Sequence, residues 1–194
     1  MIDRTAAVEI LDKNLKNKNL LKHCFAVEAV MITLAEYFNK KSQASHSKQL
    51  WGLIGLLHDG DWEATRNTPN LHTKKMVEWL KEKGETDTVL IHAILSHNHI
   101  NNKEVSPENL MEWSLYTCDE LTGFIIAVAL IMPDKKLSSV TVPSVIKKFP
   151  SKSFAAAVNR EQIKLCEEKL GIPLEEFVEL VLKSMQLIST GLGL

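Results

Sequence analysis

The chain has 194 residues, of which 45% are hydrophobic and 24% charged, the balance of a water-soluble globular protein. Its 23 Lys and Arg nearly match its 24 Asp and Glu, leaving a formal net charge of −1. That argues against a long nucleic acid as the main partner, because binding one takes a basic face; a local cationic pocket for a small phosphate stays open.

The N-terminal stretch MIDRTAAVEILDKNL is amphipathic and charged, without the continuous apolar core of a secretory signal. The longest apolar run, residues 124–132, falls well short of the roughly 20 residues that span a bilayer. A cytoplasmic chain with no membrane partner is the expectation. Cys24, Cys118 and Cys166 are odd in number and scattered, which fits free thiols in a reducing compartment, packed in the core.

Helical periodicity dominates and predicts an all-α fold of one domain, residues 1–194. Residues 3–15 and 20–38 read as the first two helices, followed by a polar loop over 40–47. Residues 48–59 form a third helix, apolar on nearly every side and so buried, with Gly60 as its stop. Turn chemistry fills 61–71, helices resume over 72–83 and 86–98, and Ser106-Pro107-Glu108 opens a long helix reaching 132. Shorter helices follow over 143–149, 152–170 and 173–188. Val140-Thr141-Val142 is the one stretch that could be extended.

The informative feature is a set of His and Asp residues at helix ends. His58-Asp59 follows the apolar run Trp51-Gly52-Leu53-Ile54-Gly55-Leu56-Leu57, so a core helix delivers both ligand types to the floor of a cavity. The helix C-terminus carries partial negative charge that favours a cation there. A buried Asp also demands a metal or an opposing charge.

With His23 lying 35 residues before His58, and Asp119 lying 60 residues after Asp59, the chain resembles the HD superfamily of metal-dependent phosphohydrolases, in its small single-domain bacterial type. The resemblance covers about residues 20–125. It implies an HD-type helical bundle, with residues 133–194 as a C-terminal helical extension. It also implies a divalent transition metal held by His23, His58, Asp59 and Asp119. Mixed nitrogen and oxygen donors without thiolate suit Mn, Fe, Co, Ni or Zn. In dinuclear members two more histidines lie between the His-Asp pair and the last Asp; His72 and His97 are similarly placed, with Asp59 then bridging two ions. A solvated first-turn residue is the rival reading of His72. His92 and His99 project from other sides of the helix than His97 and read as surface or outer groups, and His46 reads as solvated.

Asp61 and Glu63 follow the pair closely and are candidates, beside Asp59, for assisting proton transfer, against the alternative of a loop of solvated acids. Arg66, Lys147 and Arg160 are candidate phosphate-binding groups. The function so implied is hydrolysis of a small phosphate ester, a nucleotide or related monoester or diester, by metal-activated water. The alternatives are a diiron oxygenase of the HD fold and a non-catalytic module that keeps the metal structurally while binding a nucleotide or partner.

Overall fold

The computed structural model describes residues 2–42, 45–101 and 103–194. Among them there is no strand, and the fold is all-α. Helix α1 (Arg4–Asn14) starts at Asp3, whose side chain accepts the Ala6 amide at 2.8 Å. Helix α2 (Lys18–Ser42) runs beyond the expected 20–38 at both ends. It therefore takes up the start of the expected 40–47 loop, of which residues 43 and 44 lie outside the described residues. Ser47 caps α3 (Lys48–Leu57), and all of Trp51 to Leu57 is buried.

Two glycines decide how closely α2 and α3 approach. A Cβ on Gly52 would stand 2.9 Å from Ile32 Cγ1, and one on Gly55 would stand 2.8 Å from the Val27 carbonyl oxygen. Val27 is one turn beyond His23, and Gly55 is one turn before His58. The tight crossing therefore sits directly beneath both histidines. Gly60 differs from expectation: it is no left-handed stop, but leaves room for Met76 Sδ and Leu11 Cδ2, which a Cβ would meet at 2.7 and 2.8 Å.

The turn region contains a short helix α4 (Trp62–Thr65) and a 3₁₀ turn (Pro69–Leu71). Helix α5 (Lys74–Glu82) starts two residues later than expected, leaving His72 in the preceding turn. Thr73 there has φ 70°, strained for a β-branched residue. Asp87 caps α6 (Thr88–His97) through the Val89 and Leu90 amides. The long α7 (Leu110–Leu130) begins after Ser106-Pro107, because the Asn109 side chain accepts the Met111 and Glu112 amides.

Leu110–Leu130 is long and apolar enough to cross a membrane by length and composition, but 61% of its most apolar 18-residue window is buried inside the protein. It is a core helix packed between α2 and α9 (Arg160–Leu170). Val140-Thr141-Val142 is a helix start, with Thr141 and Ser144 forming a capping box on α8 (Val142–Lys148). Residues 152–158 turn instead of extending α9, for a reason given below. Helices α10 (Leu174–Leu187) and α11 (Ser189–Leu192) close the chain, and the buried apolar residues from Ala7 to Leu192 form one cluster.

Candidate metal centre

Each candidate ligand arrives from a different place in this frame. His23 comes from α2, His58 caps the end of α3, and Asp59 lies in the turn beyond it. His97 ends α6, Asp119 sits inside α7, and His72 precedes α5. Their side-chain atoms converge. His23 Nε2 lies 3.2 Å from His58 Nε2, 2.8 Å from Asp119 Oδ1 and 3.7 Å from Asp59 Oδ2. His58 Nε2 lies 3.4 Å from Asp119 Oδ1 and 3.7 Å from Asp59 Oδ2. The other oxygen of Asp59, Oδ1, faces His72 Nε2 at 3.2 Å and His97 Nε2 at 3.5 Å. Asp119 Oδ2 lies 3.9 Å from His97 Nε2.

Neighbouring ligands held about 2.1 Å from one ion stand roughly 3.0–3.5 Å apart. Three overlapping groups, His23-His58-Asp59, His58-His97-Asp119 and Asp59-His72-His97, bring their donor atoms within 4.8 Å of one another, close to that spacing, and could hold a metal ion.

Three hydrogen bonds on the far side of the rings test the fit. His58 Nδ1 lies 2.7 Å from the Gly55 carbonyl, which can only accept. His72 Nδ1 lies 2.7 Å from Asp61 Oδ1, again an acceptor. Thr122 gives its hydroxyl hydrogen to the Asp119 carbonyl at 2.7 Å, so its oxygen accepts from His23 Nδ1 at 3.3 Å. In each neutral ring the hydrogen is therefore on Nδ1 and the lone pair on Nε2 points inward, the arrangement that ligating histidines need. Lone pairs facing two carboxylates are unfavourable unless a cation stands among them.

The same demand appears in the proton affinities. Burial lowers the pKa of His23, but the hydrogen bond and charge of Asp119, with Asp59 and Glu120, more than offset it and raise the value to about 9. His72 follows suit: burial opposes, Asp59 and Asp61 prevail, and its pKa is raised to about 9. Burial would raise Asp59 and Asp119, yet their histidine partners hold both well below the ordinary carboxylate range. His97 is lowered by burial and by His58, against its bond to Asp59. Cys24 and Cys118, though next to ligands in sequence, are buried free thiols whose pKa burial pushes well upward. They stay protonated and outside the donor set.

No protein-family model, curated protein or solved structure matches the chain.

A cavity of about 320 Å³ opens beside the cluster, within the size range of small-molecule sites. Its floor includes His23, Asp59, His72, His97 and Asp119, and Trp62, Ile100 and Val158 form apolar walls. Several residues singled out in the sequence lie elsewhere or act differently. Asp61 is fully buried and holds His72 with one oxygen while the other accepts the Met76 amide of α5 at 2.9 Å. It orients a ligand and holds the first turn of a helix, and it is not among the residues that line the cavity. Glu63 accepts the Lys16 and Asn17 amides just ahead of α2, which corrects its expected role in proton transfer.

Arg66 and Lys147 are exposed and outside the cavity lining. Arg160 is the clearest correction. Its guanidinium donates to the carbonyls of Phe149, Ser151, Phe154, Ala155 and Val158, and stacks over Phe124 at 5.0 Å. Those bonds curl residues 149–158 into a turn, which is why α9 starts only at Arg160. His46, expected to be solvated, packs on Trp51 with ring centres 5.3 Å apart. His92 and His99 bond to Glu112 and to the Val105 carbonyl, away from the cluster.

Four residues at the site were not singled out from sequence. Glu120 lines the cavity, and burial with the charge of Asp119 raises its carboxyl to about 6. Asn98 donates to the Pro69 and His72 carbonyls at 2.8 and 3.1 Å, pinning the turn that carries His72. Trp62 stands edge-on to His72, with ring centres 5.0 Å apart. Thr122 is the fourth. Its signal was readable, a hydroxyl three residues after Asp119 and so on the same helix face.

Proposed function

We propose that this chain is a metal-dependent hydrolase of a small phosphate ester, built on the HD pattern, using divalent Mn, Fe, Co, Ni or Zn. The observation that carries the reading is the division of Asp59. One oxygen faces His23 and His58, and the other faces His72 and His97. His23, His58, Asp59 and Asp119 would hold a first ion, and His72, His97 and Asp59 a second. A bound ion of this kind supplies a water of lowered pKa and neutralises charge on the phosphoryl group.

The chain's own residues supply orientation and enclosure. Gly55, Asp61 and Thr122 fix three rings in the ligating tautomer, and Asn98 holds the His72 turn. Glu120, the carboxylate that lines the cavity next to Asp119, replaces Asp61 and Glu63 as the group placed for proton transfer. A cavity of about 320 Å³ lined by the ligands supports chemistry there over a purely structural ion.

One observation favours a second reading, a diiron oxygenase. Six ligands can hold two irons, and no Lys or Arg lines the cavity among the described residues, so phosphate finds no cationic side chain there. The deciding experiment loads the stripped protein with each metal and screens phosphate esters with and without oxygen. Oxygen-independent phosphate release supports the hydrolase. Turnover that needs iron and oxygen supports the oxygenase.

A further inference from the structure

The cavity walls set a charge rule for whatever binds. Three carboxylates face this space: Asp59 and Asp119, which the proposed ions would engage, and Glu120, which they would leave over. Glu120 is itself held in place, since one oxygen accepts the Asn159 amide at 3.0 Å, where the chain enters α9. The remaining polar walls are the uncharged amides of Asn98, Asn101 and Gln162, in part bonded within the protein. Asn98 is bonded to two carbonyls and accepts from Asn101, and Gln162 donates to the Tyr116 carbonyl at 2.7 Å. Arg160, at the start of α9, spends its donors on five carbonyls of residues 149–158. The rest is apolar: Trp62 and Ile100, 39% and 54% exposed at the mouth, with Val158 inside.

Two divalent ions against two ligand carboxylates leave a formal surplus of two positive charges, which one phosphate dianion would neutralise. A second anionic group on the same molecule would then meet Glu120 and uncharged walls, with no Lys or Arg among the described lining residues to pair with, and burying an unpaired charge is costly. An ammonium or an apolar tail meets a carboxylate and the Trp62 indole, both favourable surroundings for it.

Resting on the metal-site reading above, we infer that the substrate carries one phosphoryl group only, on an organic part that is uncharged or cationic and partly apolar. Nucleoside diphosphates and triphosphates, and phosphorylated carboxylic acids, are excluded by the same walls.

The test uses the metal-loaded protein and three short phosphate monoesters, phosphoethanolamine, propyl phosphate and phosphoglycolate, which differ chiefly in an ammonium, methyl or carboxylate tail. Affinity is read as displacement of inorganic phosphate by calorimetry, alongside phosphate release. The ammonium and methyl tails should bind at least tenfold tighter than the carboxylate tail. Glu120→Gln should narrow the gap between ammonium and carboxylate at least threefold, leaving metal content unchanged. Carboxylate-tailed binding as tight as the other two overturns the charge rule, even where all three are hydrolysed. The expected order without hydrolysis under any metal overturns the hydrolase reading and leaves the rule standing. Binding of none of the three overturns both.

Discussion

Asp61 shows how much of a metal site lies one bond away from the ligands. Its two oxygens serve His72 and the first turn of α5 together, so it fixes both the tautomer and the position of one ligand. Asp61→Asn replaces one acceptor by a donor and cannot satisfy both partners. Loss of such a partner typically weakens metal binding ten- to a hundredfold. We expect that loss at the His72-His97 site, with the His23-His58 site unchanged, measured by competition with a chelator of known affinity. Equal weakening of both ions, or of neither, would remove Asp61 from this role. Protons report on the same residues. His23 and His72 have folded-state pKa values raised to about 9, from 6.5. Their raised pKa stabilises the metal-free fold fully below pH 6.5, and the contribution is lost as pH rises through 9. The stripped protein's Tm should fall across that window while the loaded protein's stays level. Metal added near pH 7.5 in weak buffer should release about two protons per chain, since ligation needs neutral imidazole. A flat Tm in the stripped protein with no proton release would contradict the assignment of both rings.

At the level of helices, the site depends on how closely α2 and α3 cross. Gly55→Ala would set a Cβ 2.8 Å from the Val27 carbonyl oxygen, and backbone cannot rotate away as a side chain can. We expect about 1–3 kcal/mol of lost stability, together with weaker metal binding, because His23 and His58 lie one turn from the contact. Normal metal affinity in Gly55→Ala would show that the crossing does not set the ligand geometry. Arg160 tests the opposite wall. Arg160→Ala removes the donors that curl residues 149–158, which we expect to cost about 1–3 kcal/mol and to raise KM without changing metal content. Loss of metal in that variant would contradict a role confined to the wall. The helices themselves were largely legible in the sequence, since amphipathic periodicity and caps such as Asp3, Ser47 and Asp87 act locally. The start of α9 was not. Residues 152–159 have helical composition, and it takes Arg160 reaching back to five carbonyls to bend them. The start of α7 was misplaced for a related reason: Ser106-Pro107 is a sound local signal, but the Asn109 side chain makes the cap.

For the molecule as a whole, the ligand pattern was readable because spacing and an apolar run before His58-Asp59 survive in one dimension. The cavity walls were not, because Trp62, Ile100, Val158 and Gln162 meet only through the packing of α7, α9 and the turns before them. Charged residues such as Arg66, Lys147 and Arg160 attract attention in a sequence, yet a cation's partners are set in three dimensions. The central claim is that six side chains form two adjoining metal sites sharing Asp59. It is tested most directly by metal content per chain, measured by mass spectrometry after loading and desalting, in the native protein, His72→Ala, His23→Ala and Asp59→Ala. The account predicts close to two ions in the native chain, about one in each histidine variant, and almost none in Asp59→Ala, with helicity retained in all four. Full metal content in a folded Asp59→Ala protein would contradict it.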